Sequence, residues 1–204
     1  MESKQISDLI VALTTVGISL LSVLIIKWGD WIKDKFNQQK GKLFQRNLEI
    51  RKEIDQELLM IMEKMEASRC CFYEFSNGEM SIPGLPFNYL RMTYERTDGT
   101  VMPIRKELEK VSVNEHIESL SKMNSDEIKD HIYDDGDVED IRRFYKHHKA
   151  KMEIRIKISK KLQDGMIGIW YHQEIRNITP DEMEYLHQKA YDIKQLLNQL
   201  KRNH

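Results

Sequence analysis

Leu9–Ile26, "LIVALTTVGISLLSVLII", carries no charged residue and is bounded by Asp8 and Lys27. Few features restrict a chain more. As a helix rising about 1.5 Å per residue it is roughly 27 Å long, enough to cross a hydrocarbon core. Trp28 and Trp31 follow at once, where amphipathic rings favour the headgroup region. A cleaved signal peptide would have a basic start and a small-x-small cleavage site. This one opens with Glu2 and Asp8 against Lys4 and has no such site. A helix buried in a core would carry more polar breaks. Residues 9–28 are therefore expected to form one retained transmembrane helix, with the lipid bilayer as a partner.

Orientation follows from the flanking cations. Lys27, Lys33, Lys35, Lys40, Lys42 and Arg46 follow the span, whereas only Lys4 precedes it. The positive-inside rule then places the short N-terminus, residues 1–8, outside and residues 27–204 in the cytoplasm. Cys70 and Cys71 are adjacent, which is not the spacing of a disulfide framework and agrees with a reducing compartment. A formal net charge of -1 gives no global field to recruit nucleic acid.

Residues 29–42 read as a basic juxtamembrane hinge, with "NQQKGK" (37–42) loosened at Gly41. A long helix without Gly or Pro is expected over 43–67. Its Ile54, Leu58, Ile61 and Met65, spaced 4, 3 and 4, make a seam. The far end mirrors it over 180–201. Thr179 is placed as N-cap, Pro180 as the first helical residue and Glu182 as the reciprocal partner of a capping box. Ile178 and Met183 suit a hydrophobic staple across that cap. Met183, Leu186, Ala190, Ile193, Leu197 and Leu200 then alternate by 3 and 4. Such seams either cover a face of their own domain or build the helical bundle of a homodimer, and one seam can do both.

Between these helices the pattern changes. "CCFYEF" (70–75) is strand-like, Asn77-Gly78 is a favoured hairpin turn, and "RMTYER" (91–96) is a second strand. Residues 104–123 carry helical signals with Ile117, Leu120 and Met123 on one side. Asp137 is placed to cap a short helix ending at His148, with Val138, Ile141, Phe144 and Tyr145 inward. "MEIRIKI" (152–158) alternates as a strand with one wet face, exposing Arg155 and Lys157. Asp164-Gly165 turns it into "MIGIWYH" (166–172). The sum is an α+β domain on an antiparallel sheet, over residues 43–204.

That order resembles the GAF domain, a PAS-like sensory fold. The best-matching segment is "GMIGIWYHQEIRNITPDEMEYLHQKAYDIKQLL". The first strand, its Asn-Gly turn and "GLPFNYLRMTYE" also look like small membrane-tethered GAF-like proteins of phages and bacteria. The resemblance implies a five- or six-stranded antiparallel sheet with helices outside. It also implies a ligand cleft opposite the terminal helices, and flanking helices that dimerise and relay signals. The Asn-Lys-Phe-Asp-Glu signature of the cyclic-nucleotide subgroup is missing. Cys70 and Cys71 open the first strand, away from any chromophore-attachment context, so neither that nucleotide nor a bilin is expected.

No motif for catalysis stands out: there is no Walker loop, Gly-x-Gly-x-x-Gly, His-Glu-x-x-His or Gly-x-Ser-x-Gly. Cysteines in an apolar strand read as core residues. Asp134, Asp135, Asp137 and Glu139 lack the spacing of a calcium loop, and His147 and His148, as helix neighbours, should point apart. "RRFYKHHKAKMEIRIKISKK" (142–161) is basic with aromatics, but strand alternation accounts for its charges without nucleic acid. What remains is a pocket in which Glu74, Asn77, Tyr94, Trp170 and His172 bind a small molecule, its identity and any cofactor unknown. The expectation is thus a membrane-anchored, non-catalytic sensory or protein-interaction module, acting through a homodimer and a separate protein partner. The alternative is a membrane scaffold or docking protein with no ligand.

Overall fold

The computed structural model describes the backbone of residues 2–76, 87–123, 130–134 and 136–202, and the side chains of these except 2–26, 130 and 163. The chain divides into two compact units, residues 1–48 and 49–204.

The first unit is helical. It belongs to α1 (Glu2–Lys64), which runs unbroken through 37–42, so the hinge expected there is absent. A lone glycine weakens a helix by about 1 kcal/mol but does not stop one, and no proline stands nearby to do so. Trp28, Trp31, Ile32, Phe36 and Phe44 are exposed on this unit. Among the described residues no helix is long and apolar enough to cross a membrane. The run Leu9–Ile26 lies outside that set, since its side chains are not among those described.

The second unit is built on a six-stranded, wholly antiparallel sheet. In chain order its elements are β1 (Arg69–Ser76), β2 (Tyr89–Thr97), β3 (Val111–Ser112), α2 (Ile117–Met123), β4 (Asp130–Asp134), α3 (Glu139–His148), β5 (Met152–Lys157), β6 (Met166–Tyr171) and α4 (Pro180–Arg202). The strands lie in the order β3-β2-β1-β6-β5-β4. β1 and β2 stay paired out to Ser76↔Tyr89, so residues 77–88 connect them; Asn77 and Gly78, expected as a tight turn, lie outside the described residues. The β1–β2 register slips after Phe72, a bulge at Thr93 whose hydroxyl donates to the Phe72 carbonyl (3.4 Å).

Both helix seams are used inside this chain. Ile54, Leu58, Ile61 and Met65 of α1, with Leu186, Ala190, Ile193 and Leu197 of α4, bury against Cys70, Phe72, Ile154, Ile156, Ile167 and Ile169 of the sheet. Met183 and Leu200 are half-buried at the edge of that core. Each large aliphatic side chain removed from water contributes about 1.5–3 kcal/mol. Lys189 to Glu57 (2.6 Å) ties the two helices together. The capping box forms as expected: Thr179 N donates to Glu182 Oε2 (2.8 Å) and Glu182 N to Thr179 Oγ1 (3.3 Å).

The opposite sheet face departs from expectation. β5 is buried on both sides, and Glu153, Arg155 and Lys157, expected in water, are at most 1% exposed. Alternation marks two faces of a strand but does not say that the polar one is wet. Here α2 and α3 cover it with Leu120, Met123, Ile141 and Tyr145. Of residues 104–123 only 113–123 are helical, a 3-10 turn over Val113–His116 leading into α2. Its inner face holds His116, Leu120 and Met123, while Ile117 points to solvent. Asp137 does not cap α3: Val138 holds the N-cap position without a side-chain bond, and Asp137 instead lies 3.8 Å from Lys122.

Candidate functional site

Beneath α2 and α3 lies a buried polar network. Glu153 Oε1 accepts from Trp170 Nε1 (2.7 Å) and the Tyr73 hydroxyl (3.3 Å), and Oε2 accepts from Arg155 Nε (2.7 Å). Arg155 Nη1 donates to Ser119 Oγ (3.0 Å), and Ser119 N donates to Asp140 Oδ2 (3.2 Å). Burial raises the Glu153 pKa, opposed by the Arg155 charge and by these hydrogen bonds. For Arg155 burial pulls the other way and is the largest single influence, but Glu153 together with Tyr73, Tyr145 and Tyr133 outweighs it, and the pKa is raised. Gly168 of β6 makes the approach possible: a Cβ there would lie 2.6 Å from both Glu153 Oε1 and Tyr73 Cε2.

Over this floor opens a cavity of about 390 Å³. The loop 98–110 supplies Glu107 and Leu108, β3 Val111, the 3-10 turn Glu115 and His116, and α3 Asp140, Arg143, Phe144, His147 and His148. The loop is pinned from below. Arg69, stacked on Trp170 at 4.7 Å, pairs with Glu95 (2.9 Å) and donates to the Met102 carbonyl (2.6 Å). Glu95 in turn accepts from Ile104 N and Arg105 N, each at 2.9 Å.

Two polar atoms of the wall have no hydrogen-bond partner among the described residues: His116 Nδ1 and Asp140 Oδ1, on residues 4% and 7% exposed. Buried polar groups are nearly always satisfied, so two unpartnered atoms on residues of one cavity wall stand out. Burial, with the Arg155 charge second, lowers the His116 pKa to about 4, leaving the ring neutral at pH 7. It then offers one N–H and one lone pair.

The five residues expected to form a pocket do not converge. Glu74 and Tyr94 are neighbours on the face covered by α1 and α4, where burial chiefly raises the Tyr94 pKa. Trp170 is wholly buried on the other face, and His172 stacks on it at 6.1 Å beyond the end of β6. Asn77 lies outside the described residues. Phe144 links Trp170 (5.2 Å) to the cavity. His147 and His148 do not point apart: their ring centroids are 4.6 Å from each other. Cys70 and Cys71 are buried and their thiol pKa values are raised, by burial above all.

His116, Asp140, Glu153 and Arg155 carry the site, and none was singled out from the sequence as a site residue. A histidine at the head of the i, i+4, i+7 stripe His116-Leu120-Met123 was the available signal. Three charges at alternate positions of a strand beside the apolar "MIGIWY" were the other.

The architecture is a GAF-like α+β fold. No protein-family profile matches the chain, and no curated protein does. Solved structures do. The blue-light-absorbing form of the PixJ GAF domain of Thermosynechococcus elongatus superposes with a TM-score of 0.60 at 14% identity, over 76% of this chain and 89% of that one. A phycocyanobilin-bound GAF domain from a cyanobacterial phytochrome gives 0.59 at 12% identity, over 81% and 97%. A far-red cyanobacteriochrome photoreceptor gives 0.55 at 13% identity, over 82% and 96%. At such identities the likeness is one of fold.

Proposed function

We propose that the chain is a membrane-anchored, non-catalytic sensory module that takes a small organic molecule into the cavity under α3. The observation that carries this is a cavity of about 390 Å³ whose lining includes His116 and Asp140, each with an unpartnered buried atom, Nδ1 and Oδ1. Phe144, Leu108 and Val111 supply apolar surface beside them, the usual make-up of a ligand site. Asp140 Oδ1 accepts a hydrogen bond, so the molecule carries an N–H or O–H donor next to an apolar or aromatic body. A thioether-linked bilin does not fit this reading, because both cysteines of the chain are buried in β1. Among the described residues the cavity lining contains no serine, threonine, cysteine or lysine, which favours binding over nucleophilic chemistry.

Membrane attachment rests on the charge-free run Leu9–Ile26 and the exposed Trp28 and Trp31 that follow it. The lysine bias directs the rest of the chain to the cytoplasm, and protease added outside intact cells should leave residues 27–204 uncut. Self-association belongs to the same reading. It would use exposed apolar residues of α1 such as Phe36, Leu43 and Phe44, since the seams are already buried.

Native mass spectrometry of the full chain in detergent tests the ligand. The expected result is a retained small molecule whose occupancy falls in His116→Phe. A chain that carries nothing, and whose stability no candidate ligand raises, would instead be a scaffold.

A further inference from the structure

Glu107, His147 and His148 meet at the rim of the cavity, although they come from a loop and from the last turn of α3. His147 Nε2 stands 3.8 Å from Glu107 Oε2, and the two imidazoles meet edge-on at 83°. One ligand atom from each residue lies within 4.8 Å of the others, the one such trio among the described residues. We propose that this trio binds a divalent transition-metal ion of the zinc class. The inference goes beyond the small-molecule reading and does not depend on it.

The donor set selects the ion. Two imidazole nitrogens with one carboxylate suit zinc, cobalt or nickel, whereas calcium and magnesium prefer oxygen ligands throughout. Bonds of about 2.0–2.2 Å place the ligand atoms of a tetrahedral ion about 3.3 Å apart, so the trio must close by roughly 1.5 Å. The His147 and Glu107 side chains are exposed, which leaves room for that. His148 is the fixed member, held against Phe144 (4.7 Å) and Trp170 (6.0 Å).

A second observation points the same way. Three protein ligands leave a coordination position open, and the trio borders a cavity whose wall holds the unpartnered His116 Nδ1. A bound ion with its water or exchangeable ligand would give that wall a polar occupant.

The test uses the full chain in detergent, stripped by a chelator and titrated with Co²⁺, followed by visible absorption and equilibrium dialysis. One Co²⁺ per chain is expected, displaced by Zn²⁺ and not by Ca²⁺. His147→Ala and Glu107→Gln each remove a ligand from the surface and should weaken binding by at least ~10-fold, since even outer-shell losses cost about 10–100-fold. Circular dichroism confirms that both variants keep the fold. Absence of stoichiometric Co²⁺ uptake overturns the proposal, as does uptake that neither substitution changes.

Discussion

Arg155 Nε donates to Glu153 Oε2 across 2.7 Å, with both side chains at most 1% exposed, two positions apart on one strand. An ion pair so placed costs desolvation on both sides, and attraction offsets it only while both partners are present. Glu153 also holds Trp170 and Tyr73, so it joins three strands at one carboxylate.

Glu153→Leu should therefore destabilise the fold by about 3–5 kcal/mol, because Arg155 is left as an uncompensated buried charge. The double variant Glu153→Leu/Arg155→Met should recover a large part of that loss. Urea unfolding followed by circular dichroism measures both, and a double variant no better than the single one would refute the pairing.

Gly168→Ala should cost about 1–3 kcal/mol, the usual penalty for overpacking. Its Cβ would fall 2.6 Å from Glu153 Oε1 and from Tyr73 Cε2, and neither atom is at a loose end. Gly41→Ala is the control: nothing lies within 4 Å of its Cβ, and the helix should gain. Thermal melts of the two variants should move in opposite directions or in one case not at all.

Acid should destabilise the fold through His116. Its pKa is about 4 in the folded chain and about 6.5 when unfolded. Between these values the unfolded state binds the extra proton, so stability falls as pH drops from about 6.5 to 4, by roughly 3 kcal/mol in all. His172, also lowered to about 4 by burial and then by Arg69, adds a second contribution in the same window. His116→Phe should flatten the slope of stability against pH over that range. An unchanged slope would show that the ring titrates normally.

Thr179→Ala should cost about 1 kcal/mol by breaking the capping box at the start of α4. Chemical denaturation reads the loss. Glu182→Ala should behave similarly, since each residue satisfies the other's backbone N–H.

What the sequence made legible follows from how local each signal is. The capped α4, both seams and the β5–β6 hairpin are written in contiguous periodicity, and they stand as read. The site was less legible because its residues come from three separated elements. Glu153 and Arg155 look solvent-facing until α2 and α3 are laid over them, and β4, which pairs with β5 at the sheet edge, has no strong pattern of its own. The apolar spacing points to Ile117 on the inner stripe of α2, but His116, one residue earlier, occupies it. A one-residue offset turns a helix by about 100°, enough to exchange a core position for a surface one.

Trp170 gives the protein an optical readout. The chain has three tryptophans, and the other two, Trp28 and Trp31, are exposed. At a headgroup or detergent surface their emission should be intermediate, while the wholly buried indole emits further to the blue. Trp170 touches Phe144 of the cavity wall and His148 of the metal trio. Filling the cavity or loading the trio should thus alter the blue component alone, so native fluorescence can report occupancy without any added label.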